Sequence, residues 1–118
     1  MTNFIFSKSC QNIPIPAYRF QNNGPEVLIL GGVHGDEIEG VVAAYGLFES
    51  FLKSFPYKLN LTLIPTFNVD GVLAKTRCNW RGVDLNRNLP TQDWTSDIKN
   101  IRYQPGPFAN SEPENQAL

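Results

Sequence analysis

Three stretches of the chain carry different hydrophobic rhythms. Residues 26–31, Glu-Val-Leu-Ile-Leu-Gly, form a short apolar run that ends on Gly31 and Gly32. A run of this length between turn residues predicts a strand buried on both faces of a parallel sheet. Between Glu37 and Lys53, Val41, Tyr45, Phe48 and Leu52 recur at three- and four-residue spacings, the period of an amphipathic helix. Leu59, Leu61 and Leu63 then alternate with Asn60, Thr62 and Ile64 before Pro65, which predicts a second strand. Strand, helix, strand makes a βαβ unit, and its crossover is right-handed. The expected class is α/β, with a mixed, mostly parallel twisted sheet flanked by helices.

Proline and glycine punctuate the rest. Ile13-Pro-Ile-Pro16 would interrupt a central strand, so it reads as a sheet edge or an entry, with Ala17–Phe20 continuing extended. Asn22-Asn-Gly-Pro25 reads as a turn. Residues 68–107 are dominated by polar and turn residues, too long a stretch for an idle connection inside a compact domain. Ser111-Glu-Pro-Glu114 reads as a capping box, with Ser111 as N-cap, Glu114 at N3 and Pro113 in the first turn. The helix it announces has only about two turns of sequence before Leu118.

Charge narrows the function classes. Ten Lys and Arg stand against eleven Asp and Glu in 118 residues, a net charge of −1. That balance gives no reason to expect nucleic acid or an anionic membrane as partner. The longest apolar stretches, 27–30 and 41–48, fall far short of the ~18–20 residues that cross a bilayer. Residues 1–8 lack a basic segment followed by an apolar one, so a cytoplasmic setting is expected. Cys10 and Cys78 form no C-x-x-C pair, which excludes a zinc ribbon and leaves two reduced thiols. The single histidine, His34, cannot by itself complete a zinc site of the common two- or three-histidine kind.

Two clusters could carry chemistry. His34 and Glu37 lie three residues apart, directly after the apolar run and its glycines. Open α/β sheets bind ligands at the carboxyl ends of their strands, and an imidazole and a carboxylate so spaced can reach one metal ion. Alone, the pair suits better a hydrogen-bonded surface or capping histidine near a helix start. The second cluster, Arg77-Cys-Asn-Trp-Arg-Gly-Val-Asp-Leu-Asn-Arg-Asn88, holds three arginines and three asparagines. It could clamp a carboxylate through planar guanidinium forks, or be a solvated basic loop paired with Asp70, Asp84 and Asp93.

Taken in order, Gly31-Gly-Val-His-Gly-Asp-Glu37, Asn68-Val-Asp-Gly71, Arg77, Gly82-Val-Asp-Leu-Asn-Arg-Asn88 and Ser111-Glu-Pro-Glu114 resemble the zinc carboxypeptidase family. Within it they look most like the bacterial murein peptide amidase branch. The resemblance runs from about Val27 to the last residue. It implies zinc as cofactor, with His34 and Glu37 as two ligands and Asp84 orienting His34. Arg77 would stabilise the oxyanion, and Asn86 and Arg87 would hold the terminal carboxylate of a peptide substrate. Asn68 and Asp70 would brace loops.

Val69 stands where the branch usually has proline, and Asp36 where the digestive carboxypeptidases have arginine. The family's third ligand, a histidine, and its glutamate base come from sequence beyond the Ser-Glu-Pro-Glu segment. Residues 1–118 are therefore expected to be the N-terminal portion of a single metallopeptidase catalytic domain, incomplete at the C-terminus and inactive alone. A sheet interrupted at Leu118 would leave an unpaired edge prone to association. Two other readings remain: an N-acyl amino acid deacylase of the succinylglutamate desuccinylase and aspartoacylase type, or a non-catalytic carboxylate-binding module.

Overall fold

The computed structural model describes all residues, Met1–Leu118. Four strands, β1 (Thr2–Lys8), β2 (Pro14–Gln21), β3 (Glu26–Leu30) and β4 (Asn60–Ile64), form one sheet in the order β1-β2-β4-β3. Helix α1 (Glu39–Lys53) crosses from β3 to β4, which run parallel; β1/β2 and β2/β4 are antiparallel. The sheet is thus mixed, as expected, but not mostly parallel: two of its three strand pairings are antiparallel, and the parallel one belongs to the βαβ unit. After β4 come a short helix α2 (Val69–Ala74), 3-10 turns at Leu85–Arg87 and Ile101–Tyr103, and the one-turn helix α3 (Pro113–Gln116).

Alternation along the strands splits the core in two. On one face Phe20, Leu61 and Leu63 pack with Ala44 of α1, and Phe48, Phe51 and Phe55 join them. On the other, Ile15, Ala17 and Ile64 pack with Phe67 and with Leu85 of the first 3-10 turn. Burying side chains of this size contributes about 1.5–3 kcal/mol each, which is what fastens the long polar segment to the sheet.

Several sequence expectations need correction. The buried stripe of α1 runs Val41, Ala44, Phe48 and Phe51, because Phe51 packs edge-on to Phe20 at 5.7 Å. Tyr45 and Leu52 face outward, 40% and 51% exposed. Strand β3 is at the sheet edge rather than buried on both faces, and Leu28 is 46% exposed. The face away from α1 carries an Arg19–Glu26 ion pair at 2.6 Å in place of a covering element. Conversely, β2 with its prolines lies inside the sheet. Pro14 and Pro16 pair only with β1, opposite Lys8 and Ile5, because β4 reaches only Tyr18–Gln21. Over its first half β2 is therefore an edge strand, where a missing N–H is tolerated.

The parallel strands set the position of the site. Beyond β3 and β4 the chains stay joined, with Phe67 N–H donating to Gly31 O (2.9 Å) and Asn68 N–H to Gly32 O (3.0 Å). The loop Gly31–Glu37 and the start of α2 therefore leave the carboxyl ends of the strands side by side.

Candidate metal and carboxylate site

Close backbone packing holds the histidine loop. Gly32 has φ +62°, and a Cβ on Gly35 would fall inside the Gly71 carbonyl group. Asn68, fully buried, caps α2 by accepting from Gly71 N–H (3.0 Å). Its amide donates to Val33 O (3.2 Å) and Arg77 O (3.3 Å). One side chain thus ties the segments bearing His34 and Arg77 to a helix start. Asp70 accepts from Ser9 Oγ (2.9 Å) and Gln11 N–H (3.2 Å), bracing the β1–β2 turn.

Asp84 is the hub, with no exposed surface. Its Oδ1 accepts from His34 Nε2–H (2.9 Å) and Asn86 N–H (3.0 Å), and its Oδ2 accepts from Arg77 Nε–H (2.9 Å). The bond at Nε2 selects the neutral tautomer whose lone pair is on Nδ1. Nδ1 faces Glu37 Oε2 at 3.6 Å. Two ligands bound tetrahedrally at roughly 2.0–2.2 Å lie about 3.4 Å apart, so this pair fits a zinc ion. No third His, Cys, Asp or Glu groups with this pair as a further ligand.

Arg77 bridges both functions. Beside its bond to Asp84, its Nη1 lies 3.2 Å from Glu37 Oε1. Burial works against its charge, but the hydrogen bond and charge of Asp84, with Glu37, outweigh it and push the guanidinium above its ordinary value. Asn86 and Arg87 are exposed, and their side chains make no hydrogen bond or ion pair within the chain. They line an open recess of about 480 Å³ with Leu89, Thr91, Trp94 and Tyr103. The Arg87 guanidinium lies 5.6 Å from the centre of the Tyr103 ring, and that of Arg77 lies 5.1 Å from the same ring. Tyr103 was not among the residues singled out by sequence; nothing in its spacing marks it.

The remaining arginine and asparagines of the cluster turn elsewhere. Asn88, fully buried, donates to Pro105 O, Phe108 O and Ser111 Oγ. Asn79 donates to Glu112 Oε2 (2.7 Å), and Arg81 Nη1 lies 3.7 Å from the same oxygen. The capping box does not form. Helix α3 starts at Pro113 with Glu112 as N-cap and no side-chain cap bond. Ser111 Oγ–H instead donates to Glu112 Oε1 (2.7 Å), and Glu114 accepts from Cys10 N–H (3.3 Å). Both glutamates are buried, used to anchor α3 against the turn after β1. Cys10, Asp70 and Glu114 place potential ligand atoms within 4.8 Å of one another. Burial, then Glu114 and Glu112, pushes the Cys10 thiol up to about 12, so the thiol is held protonated among these carboxylates.

The family model for zinc carboxypeptidases matches residues 1–118. The chain belongs to the zinc carboxypeptidase family. It is 30% identical to murein peptide amidase A of Vibrio campbellii, covering 96% of this chain and 49% of that protein. The murein-tripeptide amidase structure from Escherichia coli O157 superposes with TM-score 0.73 at 25% identity, over 100% of this chain and 54% of that one. Bovine thrombin-activatable fibrinolysis inhibitor, solved with a tick carboxypeptidase inhibitor, gives TM-score 0.84 at 21% identity, over 98% and 46%. The desuccinylase/aspartoacylase structure from Rhodobacter sphaeroides shares the fold at TM-score 0.58 and 24% identity, over 89% and 28%. The chain spans about half the length of the curated murein peptide amidase it matches. No helix is long and apolar enough to cross a membrane.

Proposed function

We propose that this segment supplies half of the active site of a zinc-dependent hydrolase that cleaves an amide bond next to a free carboxylate, with murein-derived peptides as substrate class. Residues 1–118 are on this reading the N-terminal portion of one catalytic domain. The observation that carries it is Asp84, which holds His34 and Arg77 with separate oxygens at 2.9 Å each, with an exposed Arg87 that makes no ion pair three residues on.

His34 Nδ1 and Glu37 would hold the zinc. A metal in such a site acts as a Lewis acid and makes water a nucleophile near neutral pH. Arg77, fixed by Asp84, presents its remaining N–H groups to the negative charge that develops on the scissile carbonyl oxygen; a preorganised donor of this kind supplies several kcal/mol of rate enhancement. Asn86 and Arg87 take the substrate carboxylate, where a guanidinium can bind bidentately. The third ligand and the general base come from outside these residues, so the segment alone binds metal weakly and turns over little substrate. A cytoplasmic setting suits the reading, with Cys10 and Cys78 both free thiols.

The native gene product, assayed with zinc on a murein-derived tripeptide and on N-acyl amino acids, tests the proposal. Faster hydrolysis of the tripeptide, lost with EDTA, supports it. Preference for the N-acyl amino acid would make the protein a deacylase, and carboxylate binding that survives EDTA and His34→Ala without hydrolysis would make it a binding module.

A further inference from the structure

We propose that Tyr103 is a positioning residue whose ring serves as a common platform for the guanidiniums of Arg77 and Arg87, fixing the spacing between the oxyanion donor and the carboxylate clamp. The inference rests on the roles assigned above to those arginines.

Both guanidinium carbons lie over one ring, at 5.1 and 5.6 Å from its centre, inside the ~6 Å reach of a cation–π contact. The two arginines differ in what else holds them. Arg77 is locked by Asp84 and Glu37. Arg87 has no hydrogen bond or ion pair, so the ring is the polar anchor of an otherwise free side chain.

The platform is itself pinned. Asn100 caps its 3-10 turn, with Arg102 N–H donating to Asn100 Oδ1 at 2.9 Å. Asp84 N–H donates to Gln104 O at 2.8 Å, joining the residue after Tyr103 to the hub that orients His34 and Arg77. Arg102 reaches Asp36 in the histidine loop at 3.4 Å. The cap orders the turn locally, and the other two links tie this turn, with no buried residue of its own, to the site. The Tyr103 hydroxyl makes no hydrogen bond within the chain, so the aromatic face, not the phenol, is what the arginines use. At 41% exposure, Tyr103 also leaves part of its surface open to the recess that Asn86 and Arg87 line.

The distance between an oxyanion donor and a carboxylate clamp is a ruler for where the scissile bond lies relative to the substrate's terminus. Loosening Arg87 should blur that ruler, raising KM more than it lowers kcat, because Arg77 keeps its other partners.

The test uses the zinc-loaded native gene product and its Tyr103→Leu and Tyr103→Phe variants. NMR of the arginine Nε–H groups reads the platform directly: ring-current shifts of the Arg77 and Arg87 signals should be present in the wild type and in Tyr103→Phe and vanish in Tyr103→Leu. Calorimetry with a dipeptide and its C-terminal amide reads the consequence. Tyr103→Leu should weaken the dipeptide by about tenfold and leave the amide unchanged, while Tyr103→Phe stays within about twofold. Equal loss for dipeptide and amide, equal loss in Phe and Leu variants, or unshifted arginine signals in the wild type would overturn the platform. A wild type that binds dipeptide and amide alike would instead overturn the carboxylate clamp, and the platform's role with it.

Discussion

Replacing Asp84 by Asn changes one atom and should disable the site. Asp84 is fully buried and accepts bonds from Asn86 N–H and His34 Nε2–H on Oδ1 and from Arg77 Nε–H on Oδ2. An amide oxygen in the Oδ1 position keeps the first two. The NH2 group then faces the Arg77 Nε–H donor across 2.9 Å, donor against donor. A hydrogen bond to a charged group contributes about 1.5–3 kcal/mol, and breaking a buried ion pair costs about 3–5 kcal/mol. Arg77 side-chain exposure is only 12%, but Glu37 remains as a partner, so the cost falls below that of a fully broken buried pair, at about 2–3 kcal/mol. In a protein twice this length that is a fall in Tm of about 5–10 °C. The neutral amide oxygen accepts the retained His34 bond more weakly than a carboxylate does, which should also cut zinc affinity by about 10- to 100-fold. Thermal unfolding and competitive zinc titration of the native product measure both effects. A variant that melts within 1 °C of the wild type and binds zinc within about twofold would refute the assignment of Asp84 as hub.

Other residues give sharper contrasts between fold and function. Arg87→Ala should abolish binding of carboxylate-terminated ligands yet shift stability by no more than about 0.5 kcal/mol, because an exposed side chain without hydrogen bonds is removed; calorimetry and unfolding read the two separately. Gly35→Ala should behave oppositely to a surface change, destabilising by more than about 2 kcal/mol in chemical denaturation, since its Cβ meets the Gly71 backbone. Cys10 should resist iodoacetamide in the native state at pH 8 and react once unfolded, as mass spectrometry of the alkylated protein would show. Its thiol rises from the ordinary 9.0 to about 12. The native state then holds a proton that the unfolded chain gives up, so this contribution to stability is intact below pH ~9 and lost as pH climbs toward 12. Unfolding midpoints for wild type and Cys10→Ser should converge across that interval; parallel curves would contradict the assignment.

The βαβ unit was legible in the sequence because an unbroken apolar run, a three- and four-residue spacing and an alternation follow one another, and its geometry determines where His34 and Glu37 emerge. Strand β1 was not, since Phe4 and Ile5 are neighbours and both exposed, leaving no alternation to read. Helix α2 hid behind Gly71 and its six-residue length, although Asn68 at its N-cap is the kind of signal that marks a helix start. The Ser111–Glu114 segment misled for a physical reason: tertiary burial claimed both glutamates for Asn79, Ser111 and Cys10, and a local cap would have left those donors unpaired. Within the arginine-rich cluster, residue type alone could not separate the exposed Asn86 from the buried braces Asn79 and Asn88. Tyr103 is far in sequence from both arginines it touches, and only the fold brings it beneath them.

The most direct test of the account is an anomalous-scattering map of the native gene product crystallised with zinc. The account predicts a zinc peak within about 2.2 Å of His34 Nδ1 and a Glu37 oxygen. A peak seated instead among Cys10, Asp70 and Glu114, or tripeptide hydrolysis that continues at full rate with no metal near His34, would contradict it.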